Sequence, residues 1–174
     1  MSFNSSYAGS IDLNVQSTLT NSLADGVGLK DPIARDVKNT YNNGTGSGNA
    51  QIHFHTQRTL ATNTNETLDL TALTGLGGAP GTFTFTKVKA ILFECTTATT
   101  GYKAQVGAAA SNAFIGPVEF ATDVVQVGAG GRWLQESPVD GWAVTSTCKC
   151  LMVNNPAGGS LTYRITIIGE GSIN

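Results

Sequence analysis

The sequence predicts an all-β protein: a two-sheet β-sandwich, jelly-roll-like wrapping favoured, with an extended N-terminal arm. Three observations lead there. From about residue 51 onward, apolar and polar residues alternate with period two in short segments. Those segments are rich in Val, Ile, Thr, Phe and Tyr, and clusters of Gly, Pro or Asn separate them. Helical spacing is almost absent. The 174 residues suit one domain, divided into an arm over residues 1–50 and a sandwich over 51–174.

Within the arm, Ile11-Asp12-Leu13-Asn14-Val15 alternates as a single strand with one apolar face. Asp31-Pro32 places a capping residue before a proline, so one or two helical turns are expected over Asp31–Val37. The run Asn42-Asn43-Gly44-Thr45-Gly46-Ser47-Gly48-Asn49 is expected to be a flexible loop. An arm of this make-up suits an added edge strand or a reach to a neighbouring subunit. Ile11, Leu13 and Val15 are its candidate interface residues.

The expected sandwich strands are Gln51–Leu60, Thr67–Leu73, Thr82–Thr96, Tyr102–Val106, Phe114–Phe120, Val124–Val127, Arg132–Glu136, Gly141–Thr147, Cys148–Asn154 and Leu161–Ile168. The strongest is Thr82–Thr96. Strict alternation there puts Phe83, Phe85, the stems of Lys87 and Lys89, and Ile91 on one side. The continuous apolar run at Ala90–Phe93 then implies burial on both faces. Leu161–Ile168 alternates as cleanly. The turn at Asn154-Asn155-Pro156-Ala157-Gly158-Gly159 is expected to join it to Cys148–Asn154 in a terminal hairpin. No internal repeat favours a propeller or β-helix.

Charged residues make up 13% of the chain, against roughly 25% in an ordinary soluble domain, and the formal net charge is −2. Ser, Thr and Asn together fill 48 positions, so the polar surface is hydroxyl and amide instead of ionic. Ten scattered cations give no electrostatic footprint for nucleic acid or an anionic membrane. A near-neutral surface also does little to oppose self-association. The first residues show neither a basic nor an apolar leader region, and no apolar run approaches the length of a membrane span. A chain made in the cytoplasm is the expectation.

Residues that could carry chemistry are few. His53 and His55 share one face of a strand at i,i+2, about 7 Å apart by strand rise. With no nearby third ligand they are expected at the surface or a subunit interface, not at a metal. Cys95, Cys148 and Cys150 are expected as buried small apolar groups, because the Cys-x-Cys spacing and the missing fourth ligand fit zinc poorly. Gly-rich clusters at 44–48, 75–78 and 128–131 lack the Lys-Ser/Thr or helix start that a phosphate cradle needs, so they are turns. Asn63, Asn65, Glu66 and Asp69 miss the spacing of a calcium loop. No G-x-S-x-G elbow occurs, and no carboxylate pair stands out for acid–base work. No catalytic residue, cofactor or metal is expected. Trp133 and Trp142 follow glycine turns and are expected as core plugs or interface anchors; a sugar platform with Tyr102 is the alternative.

A resemblance rests on a longer pattern. It runs through Arg58-Thr59-Leu60, Leu68-Asp69-Leu70, Phe83-Thr84-Phe85-Thr86-Lys87-Val88-Lys89-Ala90-Ile91 and Val106-Gly107-Ala108-Ala109-Ala110-Ser111-Asn112-Ala113-Phe114. It continues through Pro138-Val139-Asp140-Gly141-Trp142-Ala143-Val144, Leu151-Met152-Val153-Asn154-Asn155 and Tyr163-Arg164-Ile165-Thr166-Ile167-Ile168-Gly169. This order resembles small all-β virion structural proteins of tailed bacteriophages, over about residues 50–170. The resemblance implies a non-enzymatic virion protein, and within that class size and the arm-plus-sandwich layout favour a capsid decoration or cement protein that bridges coat subunits. It equally covers neck, tail and head-fibre components; an adsorption module that binds carbohydrate is the rival from another class. The implied partners are the major capsid protein and copies of the chain itself, a homo-oligomer with a trimer as one arrangement. The implied location is the virion.

Overall fold

The computed structural model describes residues 8–22, 28–74, 81–156 and 158–174; the side chains at 15, 17–22 and 28–33 fall outside that description. The glycine cluster at 75–78 lies outside it too. The described residues form thirteen strands and no helix. The arm is made by β1 (Ala8–Ser22) and β2 (Gly28–Asn43), and β3 (Asn49–Ala50) lies parallel to the end of β2. The body follows as β4 (Ile52–Leu60), β5 (Thr64–Asp69), β6 (Leu73–Thr74), β7 (Thr82–Cys95), β8 (Lys103–Gly107) and β9 (Val124–Gly128). It ends with β10 (Arg132–Glu136), β11 (Trp142–Ala143), β12 (Cys150–Asn155) and β13 (Leu161–Ile173).

The body is a β-sandwich. One sheet runs β10-β7-β13-β4, with β6 and β11 added along β7, and the other runs β5-β12-β8-β9. The chain steps from sheet to sheet at β4–β5, β5–β6, β7–β8, β9–β10, β11–β12 and β12–β13. The apolar rows of the two sheets therefore meet face to face. Phe54, Phe85, Phe93, Tyr163, Ile165 and Ile167 come from the first sheet; Leu68, Ala104, Val106, Val127, Leu151 and Val153 come from the second. Within this layer Phe93 stacks on Tyr163 with ring centres 5.0 Å apart, and Phe83 meets Phe54 edge-on at 5.6 Å.

Several expectations are corrected. β12 and β13 are not a hairpin: β12 pairs with β5 and β8, and β13 with β4 and β7. Both strands carry a strong apolar row, and opposing sheets bury both rows against each other, whereas side-by-side pairing would only extend one face. Phe114–Phe120 is not a strand. Gly116 and Pro117 interrupt it, and turns close where the Val118 N–H donates to the Ile115 carbonyl and the Phe120 N–H to the Asp123 carboxylate. Gly141–Thr147 shrinks to β11. In the arm, the expected helical turn at residues 31–37 is part of β2, and the single strand is one half of a long hairpin in register from Ala8↔Asn42 to Ser22↔Gly28. Among the described residues only β1 pairs with β2 at Pro32, so Pro32 lies in a strand with an unpaired edge, where proline is tolerated.

Alternation also fails inside β7. The register against β13 shifts between Ile168 and Gly169 and again between Glu170 and Gly171. These bulges bring Val88 into the core beside Phe83 and Phe85, and they remove Lys89 from the phenylalanine face. Gly169 permits the close approach, because a Cβ there would stand 2.0 Å from the Lys87 carbonyl oxygen. Gly169→Ala is expected to cost about 1–3 kcal/mol, measured by urea unfolding.

One part-buried polar cluster ties β4, β5 and β13 together. The Tyr163 hydroxyl donates to Glu66 Oε1 at 2.7 Å, and the Arg58 guanidinium pairs with Glu66 Oε2. Burial, then the adjacent Glu66 carboxylate, push the Tyr163 phenol far above its ordinary range. A folded pKa above the unfolded value of about 10 means that this contribution to stability is complete below that pH and is lost as pH rises beyond it. Tyr163→Phe should therefore flatten the alkaline decline of unfolding free energy above about pH 10, relative to the parent chain.

Candidate assembly surface

The arm is the feature that the sandwich does not explain. At about 3.4 Å per residue, strands of this length extend about 50 Å. Ile11 is half-buried at the base, but every described side chain at 12–16 and 34–38 is exposed. Leu13 and Val37 face each other across the hairpin, 46% and 49% exposed. The nearby Lys38–Asp12 ion pair, at 3.5 Å, is also exposed and contributes little. Val15 pairs through its backbone with Arg35, and its side chain lies outside the description. A two-stranded ribbon whose described side chains offer one exposed apolar pair has little stability of its own in water.

The base of the arm, in contrast, is firmly held. Tyr41 and Ala50 pack on Ala90 and Ile168, on the outer face of the first sheet, and form a second small core that Ile11 adjoins. Glu136 accepts from Asn39 Nδ2 at 3.0 Å and from the Tyr41 hydroxyl at 3.3 Å. The loop at 44–48, expected to be flexible, is pinned by a buried knot. Lys89 is fully buried, and its Nζ donates to the carbonyls of Gly46 and Val139, both at 2.9 Å, and of Pro138 at 3.4 Å. Glu170 Oε1 lies 3.4 Å from that ammonium and accepts the Gly46 N–H at 2.9 Å. The Gly48 N–H donates to the Pro138 carbonyl. One cation thus joins β7, β13, the arm's base and the loop at 137–141.

Sequence reasoning missed this knot. The available signal was Ile168-Gly169-Glu170-Gly171, two glycines alternating within a strand, which marks bulges and a change of facing. The boundary at residue 50 is also softer than expected, since Tyr41 and Ala50 belong to the body's packing.

The remaining candidates are dispersed. His53 and His55 stand exposed on β4 with rings stacked at 5.9 Å, well apart from the tryptophans on β10 and β11. Trp133 and Trp142 are half-buried against the main core, and Tyr102 packs on Gly158 and Gly159, which weakens the case for a sugar platform. Cys95 is buried, and Cys148 and Cys150 are half-buried. Burial raises the Cys95 thiol, and burial followed by the Asp69 carboxylate raises that of Cys150, so neither is an activated nucleophile. Among the described residues, no group of three or more His, Cys, Asp or Glu side chains could hold a metal ion. The outer faces carry amide and hydroxyl pairs, Asn154 with Gln105 and Thr59 with Thr162, beside a bond from the Arg164 guanidinium to Gln57 and the Arg132–Glu94 and Lys149–Asp69 ion pairs. No family model matches the chain, and no curated protein matches its sequence.

Proposed function

We propose that this protein is a non-enzymatic structural subunit of a bacteriophage particle, foremost a capsid decoration protein that clasps a neighbouring subunit with its N-terminal hairpin. The observation that carries the reading is the arm: a long ribbon, rigidly anchored at Tyr41, Ala50 and Lys89, that presents Leu13 and Val37 to solvent. Anchoring one end while leaving an apolar pair uncovered is the arrangement of an element completed by a neighbour. The order β4-β13-β7-β10 over β5-β12-β8-β9 also suits the eight-strand jelly-roll wrap that recurs in viral capsid and lectin domains. Outer faces of amides and hydroxyls can be covered with little ionic desolvation. The partners in this reading are the major capsid protein and further copies of the chain.

Quantitative mass spectrometry of purified virions tests it. A copy number approaching that of the coat protein is expected; a dozen or fewer copies would move the protein to the neck or tail, and its absence from the particle would reject the reading.

A further inference from the structure

We propose that His53 and His55 are half of a zinc-class metal site, completed by the same two histidines of a second copy docked along β4. The two imidazoles lie on the exposed face of one strand, with ring centres 5.9 Å apart and planes inclined by 16°. Two imidazoles on one tetrahedral zinc, with Zn–N near 2.0–2.1 Å, place their ring centres roughly 5 Å apart. The stacked rings cannot share an ion as they stand, because a metal lies in the plane of each imidazole that binds it; turning both side chains about χ1 and χ2 aims one nitrogen of each at a common point. Imidazole nitrogen suits Zn²⁺, Ni²⁺ and Cu²⁺ and is a poor ligand for magnesium or calcium. A single chain offers no third ligand among the described residues, so two coordination positions remain open.

The strand itself says where the others come from. β4 is the last strand of its sheet: β13 occupies one side, and no strand pairs with the other among the described residues. Its nine residues, Ile52-His53-Phe54-His55-Thr56-Gln57-Arg58-Thr59-Leu60, contain no proline, glycine or lysine to blunt the edge. Such an edge is a template for another strand, and identical strands pair antiparallel about a two-fold axis. With the axis through Phe54, His53 falls opposite His55 of the second copy, and His55 opposite its His53. All four then project from the same sheet face, and directly opposite Cβ atoms stand about 4.5–5.5 Å apart. Arg58, the only formally charged residue of the strand, falls beyond the central paired stretch and meets no like charge. Four neutral imidazoles then close a tetrahedral site across the axis, and shifting one strand by a single residue would place His53 and His55 opposite side chains of the other face.

The experiment uses the full-length chain without a purification tag, titrated with zinc chloride by calorimetry and followed by sedimentation. Half a zinc per chain, a zinc-dependent doubling of mass and reversal by EDTA are expected. Cobalt(II) should show the intense visible absorption of tetrahedral coordination. His53→Gln and His55→Gln should each weaken zinc binding at least tenfold and abolish the zinc-dependent dimer. Both side chains are exposed, and thermal unfolding of the metal-free variants beside the parent separates a loss of zinc binding from a loss of fold. Absence of zinc binding, one zinc per chain with no change in mass, or binding that survives both substitutions would overturn the proposal.

Discussion

Lys89→Met is expected to destabilise the protein by about 3–5 kcal/mol, the usual cost of removing one partner from a buried ion pair. The ammonium is fully buried, and its loss strands the Gly46 and Val139 carbonyls and leaves Glu170 only the more distant, part-exposed Lys87 ammonium at 4.0 Å. Methionine retains much of the stem's packing, so the loss reports on the charge instead of on a cavity. Adding Glu170→Gln should recover part of the loss, because a buried carboxylate then no longer depends on Lys87 alone for a counter-charge. Urea unfolding of the parent, both single variants and the double variant would yield the coupling energy. A loss below about 1 kcal/mol for Lys89→Met would show that the knot contributes no more than a surface pair. Hydrogen exchange should also quicken selectively at residues 44–48, the loop that Lys89 and Glu170 hold.

The second large effect concerns assembly and not folding. Leu13→Asp combined with Val37→Asp is expected to leave thermal unfolding of the isolated chain nearly unchanged, because both side chains are about half exposed and stand apart from either core. If a neighbour covers the arm, each side chain contributes about 1–2 kcal/mol of apolar burial to the contact. Their joint loss weakens it by about 30- to 1,000-fold, and the two new carboxylates add a desolvation cost. Purified particles lacking the protein, incubated with parent or variant chain and sedimented, would show retention of the first and loss of the second. Equal retention would remove the arm from the contact.

The two effects divide along the line between what the sequence discloses and what it hides. Strands such as β7 and β13 are legible because Phe83, Phe85, Tyr163, Ile165 and Ile167 all answer to one continuous core, which imposes period two on the chain. The bulges are not legible in the same way, since they depend on the register between β7 and β13, whose partners lie far apart in sequence. Strict alternation therefore puts Lys89 on the phenylalanine face, whereas it turns to the arm's base. The arm failed for a related reason. Asp31-Pro32 has the local chemistry of a helix start, and pairing with β1 overrides it. The terminal hairpin failed because a turn rich in Asn, Pro and Gly serves equally well to cross between sheets. The placement of Leu13 and of His53 with His55 on exposed strand faces follows from alternation alone, which requires no knowledge of register.

Cryo-electron microscopy of the intact virion tests the assembly role most directly. The expected result is sandwich density on the head at lattice positions, with the hairpin over residues 8–43 covered by a coat subunit or a neighbouring copy at Leu13 and Val37. A hairpin standing bare in solvent, or density for this chain confined to a site where the arm touches nothing, would contradict it.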